Sequence, residues 1–243
     1  MIGSLMKSAR LWYYRRRAAR ENRTIVHFLH IGKSGGTAIK SALNIKNKPL
    51  VYPGHVLFAH PHNFTLMDVP EGEKVFFVVR DPVDRFVSGF YSRKRKGMPR
   101  IYREWTKGEE EAFGWFDTPN ELAMALSDQD EARAKAAAKA MKEIYHVKSS
   151  YWDWFENETC FLTRLNDVIF VGTQKTLNQD FQQLKNTLNL PEHISLPDDD
   201  VNTHKNPDSL DKRIDPVARK NLENWYAQDY RFLELLKEQH LIK

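Results

Sequence analysis

A glycine-rich segment follows the first apolar run of the chain and combines a lysine with two hydroxyl side chains. It reads HIGKSGGT from His30 to Thr37. Glycines at a strand–helix junction let several backbone N–H groups converge on one anion. Lys33 adds a mobile cation, and Ser34 and Thr37 add hydroxyl donors. These residue types at this spacing predict a site for a phosphate or sulfate group.

A second motif, VRDPVDRFVSGFY, covers residues 79–91. Arg80 directly follows the apolar run KVFFVV, and Asp81-Pro82 suits the cap and the first position of a helix. Arg80 is therefore expected at the carboxyl end of a strand, where ligands bind in open α/β sheets. Ser88 lies two turns into the predicted helix. An arginine fork and a hydroxyl so placed predict a clamp for a second phosphate, with a structural ion pair of Arg80 as the alternative.

Three histidines, His55, His60 and His62, occur in the segment GHVLFAHPHNFTL between the two motifs. Histidine titrates near neutral pH, so such a side chain can take the proton of an attacking hydroxyl group. In an extended segment, residues two apart face the same side, so His60 and His62 would reach the same site. The pair also fits a metal site or a structural role, although no cysteine or acidic cluster accompanies it. Spacing alone does not choose between the two histidines.

Regular elements must position these motifs. Apolar and β-branched runs predict strands at Thr24–Ile31, 56–59, Lys74–Val79 and 168–171. Helix-forming runs follow at 38–43, from Asp81 onward, at 177–188 and from Pro216 onward. Because strands alternate with helices, we predict an α/β fold with a central parallel sheet flanked by helices and joined by right-handed crossovers.

Residues 93–161 interrupt this alternation. They contain an alanine-rich run at 131–144, which predicts a helix, and the aromatic run YWDWF at 151–155, which is typical of a core. We predict that they form a helical insertion packed against the sheet. The basic run RKRK at 93–96 opens the insertion beside the second motif. It fits either a solvated face or a site for an anionic or sugar ligand.

Length and composition limit the remaining classes of protein. The chain has 243 residues, which suits one domain at 24–243 after a basic segment at 1–23. A formal charge of +5 fits an anionic ligand but not the dense basic stripe of a nucleic-acid-binding protein. The single cysteine, Cys160, excludes an internal disulfide. No window approaches the roughly 18 apolar residues of a membrane-spanning helix. We therefore expect a cytoplasmic protein whose residues 1–23 form a packing helix or a weak membrane-surface helix.

Together the two motifs resemble those of sulfotransferases that depend on 3′-phosphoadenosine 5′-phosphosulfate (PAPS). The similarity is to the carbohydrate and Golgi-type branch, with its IPKTGGT-like loop, and to bacterial relatives. It extends to FVG at 170–172 and NTHKNP at 202–207. The resemblance implies a P-loop-kinase-like central sheet and transfer of a sulfuryl group from PAPS to an acceptor hydroxyl, with PAP as product and no metal. It further implies a carbohydrate acceptor, such as a glycan or polysaccharide.

The resemblance also implies roles for individual residues. The first loop would bind the 5′-phosphosulfate through Lys33, Ser34, Gly35, Gly36 and Thr37, with Lys33 also stabilising charge on the leaving group. Arg80 and Ser88 would bind the 3′-phosphate, and Lys205 in a later loop would approach the cofactor. In the family, the histidine that acts as the general base lies between the two motifs, in the form GHxxxL or HxH. This favours His62 as the general base, with His60 second.

Two other functions stay open on the sequence alone. The letters GKS also occur in the Walker A loop of P-loop kinases, but that motif needs a glycine five residues before the Gly-Lys pair, where this chain has His27. A kinase would also need a magnesium-binding partner for Ser34. A non-catalytic module that binds nucleotides or polyanions would keep the phosphate loops but need no general base.

Overall fold

The computed structural model describes residues 2–45, 48–99, 101–197, 207 and 209–243, with side chains from Leu11 onward. The described strands form one five-stranded sheet in the order β2-β3-β1-β4-β5. They are β1 (Thr24–Leu29), β2 (Leu50–Val51), β3 (His55–Ala59), β4 (Lys74–Val79) and β5 (Val168–Thr173).

Four of these strands are parallel. β1 lies between β3 and β4, and β5 pairs with β4. This confirms the expected α/β fold with a mostly parallel central sheet. The sequence does not predict β2, which pairs antiparallel with β3 at Leu50↔Leu57 and Val51↔Val56. A two-residue strand carries too little periodicity to be recognised.

Helices cover both faces of the sheet. α2 and α9 contribute Ile39 and Phe181 to the core on one face. α7 and α11 contribute Phe155 and Phe232 to the core on the other face, where both rings contact Phe77. The described helices are α1 (Ile2–Arg20), α2 (Gly36–Ala42), α3 (Pro82–Lys94), α4 (Lys107–Trp115), α5 (Pro119–Ala125), α6 (Glu131–Glu143), α7 (Trp152–Phe155), α8 (Glu158–Thr163), α9 (Leu177–Thr187), α10 (Pro216–Trp225) and α11 (Ala227–Glu238).

The segment predicted as a helical insertion contains α4 to α7 and most of α8. Its first three helices pack with α3 and α10 around a separate core that includes Phe90, Phe113 and Met141. The aromatic run belongs to the main core instead, where Tyr151 and Phe155 are fully buried. The insertion therefore joins the sheet through its last third and builds a helical layer with the rest.

Most of the basic N-terminal segment forms α1, which packs on the sheet. Ala18 is buried against Val56 and Phe58 of β3. Arg15 forms an ion pair with Glu73, with an Nε–Oε1 distance of 2.6 Å. The exposed side of the helix carries Trp12 and neighbouring arginines. Within the described residues, no helix combines the length and the apolar character needed to cross a membrane.

The path of the chain reverses at β1. It runs from β1 through α2 to β3 on one side, and β4 then lies on the other side of β1. α2 and the β4–β5 connection cover opposite faces of the sheet. Such a reversal opens a crevice outside the carboxyl ends of the two neighbouring strands, β1 and β4. The glycine-rich loop and the second motif directly follow these two strands.

Candidate functional site

A cavity of about 730 Å³ lies at the carboxyl ends of β1 and β4. Its size is that of a typical ligand site. Its described lining includes one acidic residue, Asp84, and seven basic ones: Lys33, Lys40, Arg80, Arg93, Arg103, Lys212 and Arg219. An excess of positive charge in a concave surface attracts and concentrates anions.

The glycine-rich loop turns sharply between β1 and α2. Lys33 and Gly35 both have left-handed backbone conformations, with φ of 64° and 93°. Alternation into this region points successive N–H groups into a concavity that suits an anion. A β-carbon at Gly36 would lie 2.2 Å from Cδ2 of His30, so the loop can pack against His30 only with glycine there. Lys33, Gly35, Gly36 and Thr37 line the cavity.

Lys33 lies in an unfavourable environment for its own charge. Burial, with added repulsion from Arg95 and Arg80, lowers the pKa of its ammonium group to about 7. A bound anion would pair with the ammonium group and raise the pKa of Lys33 again. Depressed lysine pKa values of this kind are typical of functional sites.

Arg80 is held at the end of β4 by its backbone and by the first loop. Its N–H donates to the Tyr151 hydroxyl at 2.9 Å, and its Nη1 donates to the Lys33 carbonyl at 3.4 Å. Its Nε is buried without a hydrogen-bond partner among the described residues. Asp81 caps α3 as predicted, because its carboxylate accepts from the Val83 N–H at 3.0 Å. α3 in turn brings Ser88 to the lining of the cavity.

His62 lines the same cavity with a defined ring orientation. Its Nδ1 lies 2.9 Å from the His30 carbonyl oxygen. A carbonyl only accepts, so Nδ1 carries the proton and Nε2 keeps its lone pair. Burial lowers the pKa of His62, and the Lys40 and Lys33 charges add to the effect. The ring is therefore neutral at neutral pH and can accept a proton at Nε2.

His60 and Ser34 occupy different surroundings from those predicted. His60 does not line the cavity; its Nε2 lies 2.8 Å from His27 Nδ1 inside the fold. Ser34 is fully buried beside the Tyr151 phenol and does not line the cavity either. Lys205 lies outside the described residues.

The basic run at 93–96 is largely committed to ion pairs. Arg93 forms a buried bidentate pair with Glu109, at 2.6 and 2.7 Å. Lys94 pairs with Asp117 and Lys96 with Glu104. Arg93 also lines the cavity, so a role of this run in ligand binding stays a prediction. Arg95 is the member whose charge acts on Lys33.

A second cavity of about 310 Å³ shares His62 with the first. Its lining is polar and aromatic rather than basic: Gly32, His62, Asn63, Thr65, Tyr145, His146, Ser149, Asp153 and Trp154. His146 lines both cavities, and its ring meets the His62 ring edge-on with centroids 6.2 Å apart. Sequence reasoning did not single out His146, which lies in the insertion outside any motif. It also missed Lys40, one helical turn after Gly36, although that spacing is a usable signal.

Comparison with known proteins identifies the family. The model of the sulfotransferase family matches residues 17–235, which is most of the chain. The protein therefore belongs to the sulfotransferase family, whose members are transferases of sulfuryl groups to hydroxyl-bearing acceptors. No curated protein matches the sequence closely enough to count as a relative. No group of three or more histidine, cysteine, aspartate or glutamate residues suited to a metal ion occurs in the described part of the chain.

Proposed function

We propose that this protein transfers a sulfuryl group from PAPS to a hydroxyl group of a carbohydrate acceptor. One observation carries the proposal: two anion-binding motifs and a histidine with an available ring nitrogen line the same cavity. Lys33 and Arg80 supply positive charge at the ends of β1 and β4, and His62 lies beside them. The glycine loop between β1 and α2 also supports a P-loop-kinase-like description of the sheet.

The described residues fit PAPS. Its several phosphate and sulfate oxygens match a cavity with seven basic residues and one acidic residue in its described lining. The buried Nε–H of Arg80 has no acceptor among the described residues and can donate to a phosphate oxygen. We assign the 3′-phosphate to Arg80 and Ser88 and the 5′-phosphosulfate to the loop, through Lys33, Gly35, Gly36, Thr37 and the backbone N–H of Ser34. Lys205 stays a prediction for the same ligand.

The chemistry divides between the donor and the protein. Bound PAPS supplies an activated sulfuryl group and a good leaving group. Lys33 and the loop N–H groups stabilise the negative charge that develops on the 5′-phosphate oxygens. His62 Nε2 takes the proton of the acceptor hydroxyl, which the cavity walls hold in line. This scheme needs no metal, because Lys33 and the backbone dipoles take the part that magnesium has in kinases.

The second cavity supports a carbohydrate acceptor. It reaches His62 from the side that lacks the basic residues. Asn63, Thr65 and Ser149 offer neutral hydrogen-bonding groups, and Trp154 offers an apolar ring face. Such a mixture suits a hydroxyl-rich ring better than a purely apolar ligand. A glycan or polysaccharide end is the acceptor class that we propose.

We further propose that residues 24–243 act as one catalytic domain and that α1 makes weak contact with anionic membrane surfaces. Trp12 and Tyr13 are 57% and 55% exposed, and Arg16 lies 4.5 Å above the Trp12 ring. Exposed aromatics beside arginines suit a lipid headgroup layer. Co-sedimentation with phosphatidylserine vesicles but not with neutral vesicles is expected, and equal behaviour with both would exclude the contact.

Acceptor profiling tests the central proposal. The protein is incubated with sulfur-labelled PAPS and a panel of mono-, oligo- and polysaccharides, lipids and small alcohols. We expect label in one or more carbohydrates, linked through oxygen. Label transfer from γ-labelled ATP instead would identify a kinase. PAP binding with no transfer to any acceptor class would favour the non-catalytic module.

The cofactor assignment makes a prediction that needs no acceptor. We expect PAP to bind in the micromolar range or tighter in the presence of EDTA, because the described anion-binding groups are lysine, arginine and backbone N–H. Isothermal titration calorimetry measures this directly. Binding that appears only after magnesium is added would contradict the assignment.

The lowered pKa of Lys33 predicts a proton-linked binding event. Near pH 7.5 part of the free protein carries a neutral Lys33, since its pKa is about 7. A bound phosphate stabilises the ammonium form, so PAP binding takes up protons. The affinity for PAP should fall as the pH rises above the pKa that Lys33 has in the ligand-free protein.

Calorimetry in buffers of different ionisation enthalpy at one pH measures this uptake. Lys33→Met should lose the lysine's share of it. Equal proton uptake in the wild type and in Lys33→Met would show that another group is responsible.

A further inference from the structure

His27 is fully buried in the middle of β1, yet no step of the proposed reaction uses it. It is one of four side chains that form a continuous hydrogen-bonded chain. Arg15 of α1 donates to both carboxylate oxygens of Glu73, at 2.6 and 2.9 Å. His27 Nε2 lies 2.6 Å from Glu73 Oε2, and His27 Nδ1 lies 2.8 Å from His60 Nε2. This anchoring chain, Arg15–Glu73–His27–His60, links the N-terminal helix to the residue two before His62.

One proton position in the anchoring chain follows from the carboxylate. An ionised carboxylate only accepts hydrogen bonds, so His27 Nε2–H donates to Glu73. A single proton lies between His27 Nδ1 and His60 Nε2, which are 2.8 Å apart, and either ring nitrogen can donate it. Both arrangements commit Nε2 of His60 to His27. Burial, followed by the His27 charge, lowers the pKa of His60 to about 3.

The backbone around His60 is held as firmly as its ring. The ring stacks on Phe64 with centroids 3.5 Å apart and planes 5° apart. The His60 N–H donates to the Phe28 carbonyl at 3.3 Å, and its own carbonyl accepts from Lys40 Nζ. Pro61 alone separates this fixed residue from His62, and proline restricts the connection. Fixing His60 therefore restricts where the His62 ring can lie.

We propose that the anchoring chain positions His62 in the cavity, so that His60 and α1 are positioning elements of the site. The inference rests on the proposed role of His62 as the base. It gives the two histidines of the HPH segment different tasks: His62 touches the reacting hydroxyl, and His60 holds the segment. It also gives the N-terminal helix a positioning role through the Arg15–Glu73 pair.

Two substitutions of His60 separate positioning from base catalysis. In His60→Gln the side-chain amide offers His27 both a donor and an acceptor, whereas His60→Ala removes the hydrogen-bond partner. We expect kcat to fall on the order of ten- to a hundredfold in His60→Ala, the cost of misplacing a reacting group by about an ångström. We expect His60→Gln to recover most of that loss, with PAP affinity unchanged in both. Equal inactivity of the two variants would show that the imidazole itself is needed and would overturn the proposal.

Arg15→Ala and Glu73→Gln test the distant end of the anchoring chain. The matched control is Arg17→Ala, which removes the exposed Arg17–Glu21 pair of the same helix. We expect Arg15→Ala and Glu73→Gln to lower kcat with little change in the Kd of PAP, and Arg17→Ala to behave as wild type. A fall in Tm with unchanged kcat below the melting range would mean that the anchoring chain only stabilises the fold.

A spectroscopic readout keeps the test independent of any acceptor. Lys40 faces His62 from α2, and His30 and Lys33 face it from the loop between β1 and α2. His146 and Asp153 face it across the second cavity. NMR of the histidine ring protons follows the titration of His62. We expect the pKa of His62 to rise towards its ordinary value in Arg15→Ala and Glu73→Gln, because a looser ring gains water. An unchanged His62 titration would overturn the positioning role, whereas a shifted titration in a protein that transfers no sulfuryl group would overturn only the proposed function.

Discussion

His62→Ala is expected to lower kcat by about a hundred- to ten-thousandfold, the usual cost of losing a general base. PAP affinity should barely change, because the phosphate contacts assigned to Lys33 and Arg80 do not involve the imidazole. The reason for the large effect is geometric. The Nδ1–H bond to the His30 carbonyl leaves Nε2 as the one ring nitrogen that can accept a proton. The measurement is kcat with the best acceptor from profiling, beside a PAP titration.

The pH dependence of the wild-type activity is a second test of His62 as the general base. The neutral ring is the active form, so activity should fall as pH drops through the pKa of His62. Burial lowers that pKa, so the acidic limb should lie below the ordinary histidine value of 6.5. His62→Ala should lose this limb.

The control is His193→Ala, which removes an exposed histidine that lines a separate cavity. It should match the wild type in rate and in pH profile. A near-normal rate in His62→Ala would place the base elsewhere and leave the PAPS assignment intact.

Local signals predicted the elements that carry the motifs. The run KVFFVV has the same bounds, Lys74–Val79, as β4, because a strand covered on both faces is apolar throughout. Asp81-Pro82 starts α3 as expected, since capping depends on a few adjacent residues. Because parallel strands end at the same edge of a sheet, the two phosphate motifs could be placed together from their order alone.

Contacts between distant residues could not be predicted in this way. The rule that residues two apart share a face applies within a strand, and β3 ends at Ala59, before His60 and His62. The partners that separate these histidines come from elsewhere: Glu73 bonds His27 across 46 residues of sequence. His146 likewise reaches the site from a helical layer whose packing no local pattern specifies.

Arg80→Ala is the second substitution with a large expected effect, and its readout is a comparison of two ligands. PAP carries the 3′-phosphate that we assign to Arg80, whereas adenosine 5′-phosphate does not. A charge-assisted hydrogen bond contributes on the order of 1.5–3 kcal/mol, or about ten- to a hundredfold in affinity. We therefore expect PAP binding to weaken by that factor and adenosine 5′-phosphate binding to change little.

The structure supplies both the reason and the controls. The Nε of Arg80 is buried without a partner among the described residues, while Nη1 already donates to the Lys33 carbonyl. A phosphate oxygen can therefore accept the hydrogen bond that Nε–H does not yet make. Arg80→Lys keeps the charge but loses the fork, and should recover only part of the loss. Arg213→Ala removes one positive charge from an 87% exposed side chain and should leave both affinities unchanged. An equal loss of PAP and adenosine 5′-phosphate in Arg80→Ala would mean that Arg80 holds the Lys33 loop rather than the 3′-phosphate. The second phosphate site would then have to be sought among the other basic residues of the cavity, Arg103, Lys212 and Arg219.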